Sequence, residues 1–386
     1  MPTYAPADLA FEKGEGVYLY TADGRRFLDF CAGIAVNGLG HAHPHLVDAL
    51  KTQAEKLWHV SNLYRIPGQE KLAQRFVDAS FADKVFFCNS GAEALEGSIK
   101  IARKYQKDNG NPGRYRVLAC ENAFHGRTLA TIAAGGQAKF LEGFEPTVDG
   151  FDHVAYGNLN EMRAAVNDQT AAILVEPIQG EGGIYGGGTE YLQGLRQICD
   201  EFGILLMFDE VQCGMGRTGK LFAHEWAGVR PDVVATAKGI GGGFPLGAVL
   251  TTDKAAVLGV GNHGTTYGGN PLAMAVGGAV LDVILGDGFL EHVVEVGETL
   301  TQALKGLQNA FPTVFTEVRG QGLMQGLKLV DRIVNRDFKR ELEAEGLLVA
   351  PAGANVLRFL PPLIIENEHV VEAAAILEKV ASRHVG

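Results

Sequence analysis

The chain has 386 residues, of which 46% are apolar, so it can bury one large core or two ordinary ones. Its formal net charge of −11 is spread along the sequence without a basic run, which argues against nucleic acids and anionic membranes as partners. The N-terminus has no basic segment followed by an apolar stretch, and no window approaches the ~20 apolar residues of a membrane span. We therefore expect a cytoplasmic globular protein.

Cysteine and histidine spacing does not indicate a metal site. The five cysteines (Cys31, Cys88, Cys120, Cys199 and Cys213) are scattered and never form CxxC, so neither a disulfide framework nor a zinc ribbon is indicated. His41, His43 and His45 alternate around Pro44, but this spacing matches no zinc-ligand pattern and no cysteine partner is nearby. We expect reduced thiols and no metal.

Alternating strands and helices dominate the middle of the chain. Residues 16–30, GVYLYTADGRRFLDF, flank an Asp-Gly turn with alternating apolar and polar residues, which predicts a hairpin. From Val85 onward, apolar strands alternate with helical patterns: KVFFCN, AEALEGSIKIARKY, YRVLACEN, AAILVEP, EYLQGLRQICDEFG, ILLMFDE, DVVATAK and PLGAVLTT. This alternation predicts βαβ units and a mostly parallel sheet.

The pattern changes near residue 278. GLMQGLKL, the helical VNRDFKRELEAEG, the strand NVLRFLPPL and the helical HVVEAAAILEKVASRH indicate a smaller α+β domain. We predict an N-terminal segment, 1–45, that joins the small domain, a large domain at 46–277, and a C-terminal small domain at 278–386. The 51 glycines concentrate at the strand ends, where loops carry function.

The segment ILLMFDEVQ (204–212) ends a buried strand with Asp209, Glu210 and Gln212. An apolar run of this kind is typical of a central parallel strand. Carboxylates at its carboxyl end would face the crevice where open α/β sheets bind ligands. The alternative is that these acids only cap the following loop.

Two glycine-containing turns add groups that suit anionic ligands. In NSGAEALE (89–96), Ser90, Gly91 and Ala92 precede or open a helix, whose free N–H groups can bind a phosphate; an ordinary serine cap is the alternative. In ENAFHGRTLAT (121–131), an aromatic, a histidine and Arg127 share one turn, and an arginine there suits a carboxylate, although most arginines are simply solvated.

Lys238 ends another apolar strand in TAKGIGGGFPLGAV (236–249). The glycine loop is not GxGxxG, because residue 244 is Phe, so it does not indicate a nicotinamide site. A lysine at an interior strand end is costly unless it is paired, has a lowered pKa or is used covalently. Schiff-base chemistry is the common use of such a lysine.

These motifs resemble a known family. SGAEA, AFHGRT, EPIQGEGG, FDEVQCGMGRTG, AKGIGGGFPLGA, HGTTYGGNP and LRFLPPL follow the order and approximate spacing of the class III aminotransferases, and they cover nearly the whole chain. That family consists of pyridoxal-phosphate enzymes of fold type I. The resemblance implies an α/β protein with a large domain, whose mostly parallel sheet is flanked by helices, and a smaller α+β domain.

The resemblance also implies roles around pyridoxal 5'-phosphate. Asp209 resembles the residue under the pyridine nitrogen, which keeps that nitrogen protonated. Gln212 would bind the phenolic oxygen, and Glu210 would point the other way as a structural acceptor. Lys238 resembles the lysine that binds the cofactor and moves the proton. The remaining cofactor positions are Ser90, Gly91 and Ala92, which match the phosphate cup, and Phe124, which matches the ring-stacking aromatic.

Further positions match substrate-binding residues of the family. Arg127 resembles the residue that holds the substrate carboxylate, and Thr265 would lie near the substrate. Thr266 would reach the phosphate of a neighbouring subunit, which implies a homodimer with active sites at the interface. By the same resemblance, Glu181 and Arg358 meet over the cofactor. Arg65 in SNLYRIP departs from the pattern, because an aromatic is frequent there, and this difference concerns the substrate fit near the entrance.

Within the family, AGIAVNGLGHAHP, SNLYRIPGQEKLA and the Glu-Gly-Glu-Gly-Gly stretch are most similar to the branch of arginine biosynthesis that acts on N2-acylated ornithine. The implied reaction moves the terminal amine to 2-oxoglutarate. Alternatives are N-succinyl-diaminopimelate, ornithine or 4-aminobutyrate as the amine donor. A glutamate-1-semialdehyde aminomutase would share the fold and the lysine but need no 2-oxoglutarate. A glycine-rich binding protein gives no reason for the buried lysine.

Overall fold

The computed structural model of the chain describes residues 1–385 and contains helices, strands and short 3-10 turns. The helices are α1 (Ala32–Ala35), α2 (Pro44–Ala54), α3 (Pro67–Ala79), α4 (Gly91–Asp108), α5 (Leu129–Gly135), α6 (Ala138–Leu141), α7 (Leu159–Ala165), α8 (Gly188–Phe202), α9 (Pro271–Ile284), α10 (Phe289–Ala310), α11 (Asn335–Ala344) and α12 (Asn367–Ala381). The strands are β1 (Phe11–Glu15), β2 (Tyr18–Thr21), β3 (Arg26–Asp29), β4 (Lys84–Cys88), β5 (Arg116–Cys120), β6 (Phe151–Val154), β7 (Thr170–Val175), β8 (Ile178–Gln179), β9 (Tyr185–Gly186), β10 (Leu205–Asp209), β11 (Val233–Thr236), β12 (Gly247–Thr251), β13 (Phe315–Gln321), β14 (Met324–Leu329), β15 (Leu347–Leu348), β16 (Ala350–Ala352) and β17 (Val356–Phe359).

A seven-stranded sheet forms the centre of the molecule, in the order β4-β12-β11-β10-β7-β5-β6. Adjacent strands of this sheet, from β11 to β6 in that order, pair in parallel. Strand β12 is antiparallel to both of its neighbours, β11 and β4. The sequence prediction of a mostly parallel sheet is therefore confirmed. Every residue of β10 is buried, because helices cover both faces of the sheet and leave no solvent-facing side for polar residues.

The N-terminal segment pairs with the C-terminal part of the chain. The hairpin predicted at 16–30 is present as β2 and β3, with Tyr18 opposite Leu28. Strand β1 extends it, and β3 pairs in parallel with β15, so the sheet order is β1-β2-β3-β15. A second four-stranded sheet, β13-β14-β17-β16, carries Arg358. The parallel pairing of β3 with β15 supports the proposal that the N-terminal segment joins the small domain.

Helices α9 and α10 lie at the proposed junction between the two domains. Helix α9 runs unbroken across the predicted boundary at 277/278 and packs in the same buried cluster as β10, whereas α10 packs with β13 and β14. We therefore propose to move that boundary to the loop at 285–288. Within residues 1–385, no single helix is long and apolar enough to cross a membrane; α9 and α10 meet that criterion only as a pair bent by 69°.

A close backbone contact joins α10 to both domains. A Cβ atom on Gly297 would lie 2.7 Å from the Cα atom of Gly322, in the turn between β13 and β14. A Cβ atom on Gly322 would in turn lie 2.7 Å from Thr218. Three backbones therefore stack with no room for a side chain, and this contact fixes the small-domain sheet against the large domain.

This stacking predicts that a Gly→Ala substitution changes the free energy of unfolding in opposite directions at two positions of α10. Gly306→Ala should raise the free energy of unfolding by up to about 1 kcal/mol, because alanine favours the helix and, within residues 1–385, no atom outside the adjoining helix backbone lies within 4 Å of the added Cβ. Gly297→Ala should lower it by about 1–3 kcal/mol despite the same helical gain, because the backbone of Gly322 must move. Urea denaturation of both variants would measure the difference. Equal stabilisation by both would contradict the stacking.

Candidate active site

A cavity of about 360 Å³ opens where the parallel strands of the large sheet end. Groups from the ends of β4, β5, β7, β10 and β11 converge there, as expected at the carboxyl edge of an open α/β sheet. The cavity is lined by Val36, Asn89, Ser90, Gly91, Ala92, Phe124, His125, Gly126, Glu176, Asp209, Val211, Gln212, Ala237, Lys238, Gly243, Phe244, Pro245 and Leu246. Seven of the positions selected from the sequence are among them.

The N-terminus of α4 forms one end of the cavity. The Ser90 hydroxyl caps the helix by accepting a hydrogen bond from the Glu93 backbone N–H at 3.2 Å. The Glu93 carboxylate accepts one from the backbone N–H of Asn89, the residue before the cap, at 2.8 Å. The serine cap and the anion-binding prediction are therefore compatible, since the first helical N–H groups, at Gly91 and Ala92, have no intrahelical partner.

Asp209 lies at the floor of the cavity and is 3% exposed. Its carboxylate is 2.8 Å from Nδ1 of His125 and accepts a hydrogen bond from the Val211 backbone N–H at 3.0 Å. Burial lowers the pKa of His125, but the hydrogen bond to Asp209 and its charge outweigh that effect and raise the pKa above its ordinary value. The histidine therefore balances the buried negative charge.

Lys238 reaches the same cavity from the end of β11. Its backbone φ of +50° is in the left-handed region, which a lysine rarely adopts and which costs conformational energy. Burial and the nearby positive charge of Arg358 lower the pKa of its amine, although Glu181 and Asp209 oppose this. A lowered pKa increases the fraction of neutral amine, the form that reacts with a carbonyl.

Glu176 follows β7 directly and lines the cavity beside Asp209. One carboxylate oxygen accepts a hydrogen bond from the Phe124 backbone N–H at 3.1 Å and the other accepts one from the Gly180 N–H at 3.3 Å. Burial, reinforced by the charge of Asp209, raises the pKa of Glu176 to about 7. This single carboxyl therefore joins the turn that carries Phe124 to the loop that carries Glu181.

Arg358 and Glu181 form an ion pair at the edge of the site. Nη1 of Arg358 donates to Glu181 at 2.7 Å and to the amide oxygen of Gln212 at 2.9 Å. The Arg358 side chain is 1% exposed, whereas that of Glu181 is 31% exposed. Because the amide oxygen of Gln212 is engaged, its amide nitrogen is the group left to donate into the cavity.

Phe124 and Arg127 lie on one wall and at the adjacent surface. The Phe124 ring lines the cavity and packs edge-on against Phe140. The guanidinium of Arg127 lies 3.9 Å from the centre of the Phe140 ring and 5.4 Å from that of Phe124. Arg127 is exposed, so this cation-π stacking holds its position while its N–H groups stay available.

Thr265, Thr266 and Arg65 do not line this cavity. The Thr265 hydroxyl accepts hydrogen bonds from the Asn89 amide at 3.3 Å and the Gly268 backbone N–H at 3.1 Å, whereas Thr266 is exposed. Arg65 is also exposed and forms a two-pronged ion pair with Glu70, at 2.8 Å for each bond. An arginine at a position where the family often has an aromatic therefore changes the surface outside this cavity of the same chain.

Among the cavity residues that were not selected from the sequence, three contribute a titratable group or a ring-facing apolar surface. They are His125, Glu176 and Val211. Glu176 ends the apolar run AAILV just as Asp209 ends ILLMF, so the same strand-end pattern identifies it. Glu210 behaves as expected: it turns away, is fully buried, and accepts hydrogen bonds from the backbone and ring of His224, each at 2.8 Å.

The residues of the cavity fit pyridoxal 5'-phosphate. The α4 N-terminus suits a phosphate, Phe124 and Val211 offer apolar surface for a ring, Asp209 offers a carboxylate, and Lys238 offers an amine. A Cβ atom on Gly91 would lie 2.9 Å from Cγ1 of Val211, so a larger residue there would displace the Val211 side chain from the cavity wall. Buried Nε2 of His125 has no hydrogen-bond partner among the described residues, which leaves it available to a bound molecule.

This fold, with a lysine and a carboxylate at adjacent strand ends, defines a fold type I pyridoxal-phosphate transferase. The sequence matches the family Aminotransferase class-III over residues 2–381. It is 59% identical to the acetylornithine aminotransferase of Agrobacterium fabrum over 381 residues, which cover 98% of this chain and 95% of that protein. The acetylornithine aminotransferase of Mesorhizobium japonicum is 60% identical over 96% of this chain and 93% of its own length.

Solved structures show the same likeness. The ornithine aminotransferase of Toxoplasma gondii superimposes with a TM-score of 0.95 at 31% identity, covering 99% of this chain and 92% of that one. The N-acetylornithine aminotransferase of Stenotrophomonas maltophilia gives a TM-score of 0.86 at 38% identity, covering 98% and 96%. The chain therefore belongs to the class III aminotransferases, which use pyridoxal phosphate to exchange an amine and a keto acid.

The raised pKa of Glu176 predicts a pH-dependent stability difference in Glu176→Gln. In the folded protein this carboxyl keeps its proton up to a pKa of about 7, whereas the ordinary value is 4.5. Its contribution to stability is therefore present at low pH and is lost as the pH rises through about 7. Glutamine stays neutral, so the free energy of unfolding of the variant, relative to wild type, should increase between about pH 5 and pH 8.

Urea denaturation of the cofactor-free protein across that range would measure the effect. Glu142→Gln, at an exposed position, is the matched control and should show a flat difference. A flat difference for Glu176→Gln as well would mean that Glu176 is ionised throughout the range.

Proposed function

We propose that this aminotransferase moves the terminal amine of N2-acetyl-L-ornithine to 2-oxoglutarate and releases N-acetyl-L-glutamate 5-semialdehyde and L-glutamate. The observation that carries the proposal is the ion pair between Glu181 and the buried guanidinium of Arg358, at the edge of the cavity that contains Lys238. The names of the relatives at 59% and 60% identity support the same substrate.

The two substrates place different charges beside the reacting atom. Acetylornithine presents an amine several bonds away from its only carboxylate, so with that carboxylate on Arg127 no charge reaches Arg358. Glutamate presents its α-amine, which brings a second carboxylate next to the reacting carbon. Arg358 would bind that carboxylate, and Glu181 would neutralise Arg358 when the carboxylate is missing. A buried guanidinium without either partner would be strongly disfavoured.

Cofactor binding by this chain is part of the proposal. Ser90, Gly91 and Ala92 would hold the phosphate, Phe124 would stack on the ring, and Gln212 would donate to the phenolic oxygen. When bound, pyridoxal phosphate supplies an electron sink for the negative charge left on the amine-bearing carbon. Asp209 would stabilise this state, because its buried carboxylate keeps a proton on the ring nitrogen.

Lys238 has two functions in this proposal. Its amine would attach the cofactor and, once the substrate amine has displaced it, take the proton from the amine-bearing carbon of the substrate, which requires a neutral nitrogen. The lowered pKa caused by burial and by Arg358 favours that neutral form. Thr265 would line the substrate path near the α4 end of the cavity.

We also propose a homodimer in the cytoplasm. Thr266 is exposed and would reach the phosphate in the neighbouring subunit. Large apolar side chains are exposed beside it: Trp58 at 64%, Tyr64 at 67% and Tyr267 at 63%. Asn62 joins the two segments by donating to the Thr265 carbonyl at 3.1 Å. An apolar patch of this kind is typical of a protein interface.

The amine donor can be identified by absorbance measurements on the purified enzyme. Acetylornithine, ornithine, N-succinyl-diaminopimelate and 4-aminobutyrate would be mixed separately with the enzyme, and the cofactor band would be followed until it bleaches. The proposal requires acetylornithine to react most efficiently and 2-oxoglutarate to restore the band. Turnover of a single amino-aldehyde without a keto acid would instead indicate an aminomutase.

The Glu181–Arg358 pair predicts that each partner affects a different half-reaction. Glu181→Ala should favour the glutamate half-reaction over the acetylornithine one. With glutamate bound, the substrate carboxylate still neutralises Arg358, whereas with acetylornithine bound Arg358 has no anionic partner. Arg358→Ala should slow mainly the glutamate half-reaction, since the bond to the α-carboxylate is lost. Single-turnover absorbance measurements with each substrate separate the two effects. If both variants slowed both halves equally, the pair would be structural only.

A further inference from the structure

The loop that carries Glu181 lies across one row of the small-domain sheet. Strands β8 and β9 pair as a hairpin whose loop spans residues 180–184. Opposite it, Arg319 pairs with Gly326, and Gly326 pairs with Arg358, in three adjacent antiparallel strands. Directly opposed residues project to the same face of a sheet, so this face presents two arginines with a glycine between them.

Ile184 fills the gap between the two arginines. Its side chain is fully buried, and its backbone φ is +57°, an unfavourable value for a β-branched residue. A Cβ atom on Gly326 would lie 3.0 Å from the Cβ atom of Ile184, closer than two such atoms normally approach. The missing side chain at Gly326 is therefore what lets the hairpin loop lie directly on the sheet.

Arg319 holds the outer side of the same loop. Its Nη1 donates to the Gly183 carbonyl at 3.2 Å, and its guanidinium carbon lies 3.9 Å from the centre of the Tyr185 ring. Its Nη2 donates to Glu317 at 2.6 Å, which fixes the plane of the guanidinium. The side chain of Arg319 is 9% exposed, so these contacts form away from bulk water, where they are stronger.

The main chain of Glu181 is held as well. Its carbonyl accepts a hydrogen bond from the Gly353 backbone N–H at 2.8 Å. A Cβ atom on Gly353 would lie 2.8 Å from the Gly182 carbonyl, so the two loops are in direct contact. The backbone of Glu181 therefore has little freedom, and only its partly exposed side chain can move away from Arg358.

We propose that Arg319 is a positioning residue for the amine exchange: by holding the β8–β9 hairpin, it keeps the Glu181 carboxylate within reach of Arg358. The effect on catalysis rests on the function proposed above, whereas the effect on the hairpin does not. Arg319 touches no reacting atom and acts only through Glu181. It therefore contributes to the selection between the two substrates from outside the cavity.

Hydrogen exchange of the purified cofactor-bound enzyme tests the contact itself. Arg319→Met keeps a long side chain but loses the hydrogen bond and the stacking. Amide exchange in residues 180–186 should become about tenfold faster in this variant, and less so in Arg319→Lys, which keeps the charge without the planar fork. Unchanged exchange in Arg319→Met would overturn the proposal, whether or not acetylornithine is the substrate.

Single-turnover rates test whether the hairpin acts through Glu181. Arg319→Met should shift the ratio of the glutamate to the acetylornithine half-reaction in the same direction as Glu181→Ala, by about three- to tenfold, because Glu181 meets Arg358 less often. Adding Arg319→Met to Glu181→Ala should produce no further shift in that ratio. Faster exchange with an unchanged ratio, or a fully additive double variant, would overturn the positioning role.

Substitutions at two further positions complete the test. Glu317→Gln removes the charge of the half-exposed partner of Arg319 but keeps a side-chain oxygen that can accept the Nη2 hydrogen bond. It also leaves the contacts with Gly183 and Tyr185, so exchange and the half-reaction ratio should stay near wild type. If Arg319→Met does not fold, Tyr185→Leu removes the stacked ring from the hairpin side and should produce the same two changes, whereas Tyr185→Phe should not. Equal behaviour of the Leu and Phe variants would contradict the stacking.

Discussion

The buried carboxylate of Asp209 is the constraint on which the site depends. It ends a strand that is buried throughout, so its charge must be balanced locally, and His125 does this at 2.8 Å. The same charge helps to raise the pKa of Glu176 and opposes the lowering of the Lys238 pKa. Burial is the larger cause of both pKa shifts, and the negative charge of Asp209 acts on both neighbours because parallel strands end side by side.

The small domain supplies the other half of the site. Arg358 enters from β17 and meets Glu181 and Gln212, which belong to loops of the large domain. The small-domain sheet can do this only if its position is fixed, and backbone contacts that exclude side chains, such as Gly322 on Thr218, fix it. Glycine therefore serves here as a packing residue between elements, in addition to its role in turns.

The sequence predicted the large sheet because its strands are short apolar runs between amphipathic helices. It did not predict α10, and it placed a boundary inside α9, which is apolar on most sides because it is buried on most sides. Glu176 follows the strand-end pattern and was predictable from it. His125 and Arg319 were not, because their importance comes from tertiary pairing: His125 needs Asp209 beside it, and Arg319 needs the register of three strands.

The most direct test of this account is the effect of Asp209→Asn on chemistry and on cofactor binding, measured separately. The variant keeps the shape of the side chain but removes its negative charge from the floor of the cavity. We predict that the glutamate half-reaction slows by about a hundredfold or more, as expected when a preorganised charge is lost, while the cofactor dissociation constant changes far less. A near-normal half-reaction rate would show that the charge at the end of β10 is not what drives the chemistry.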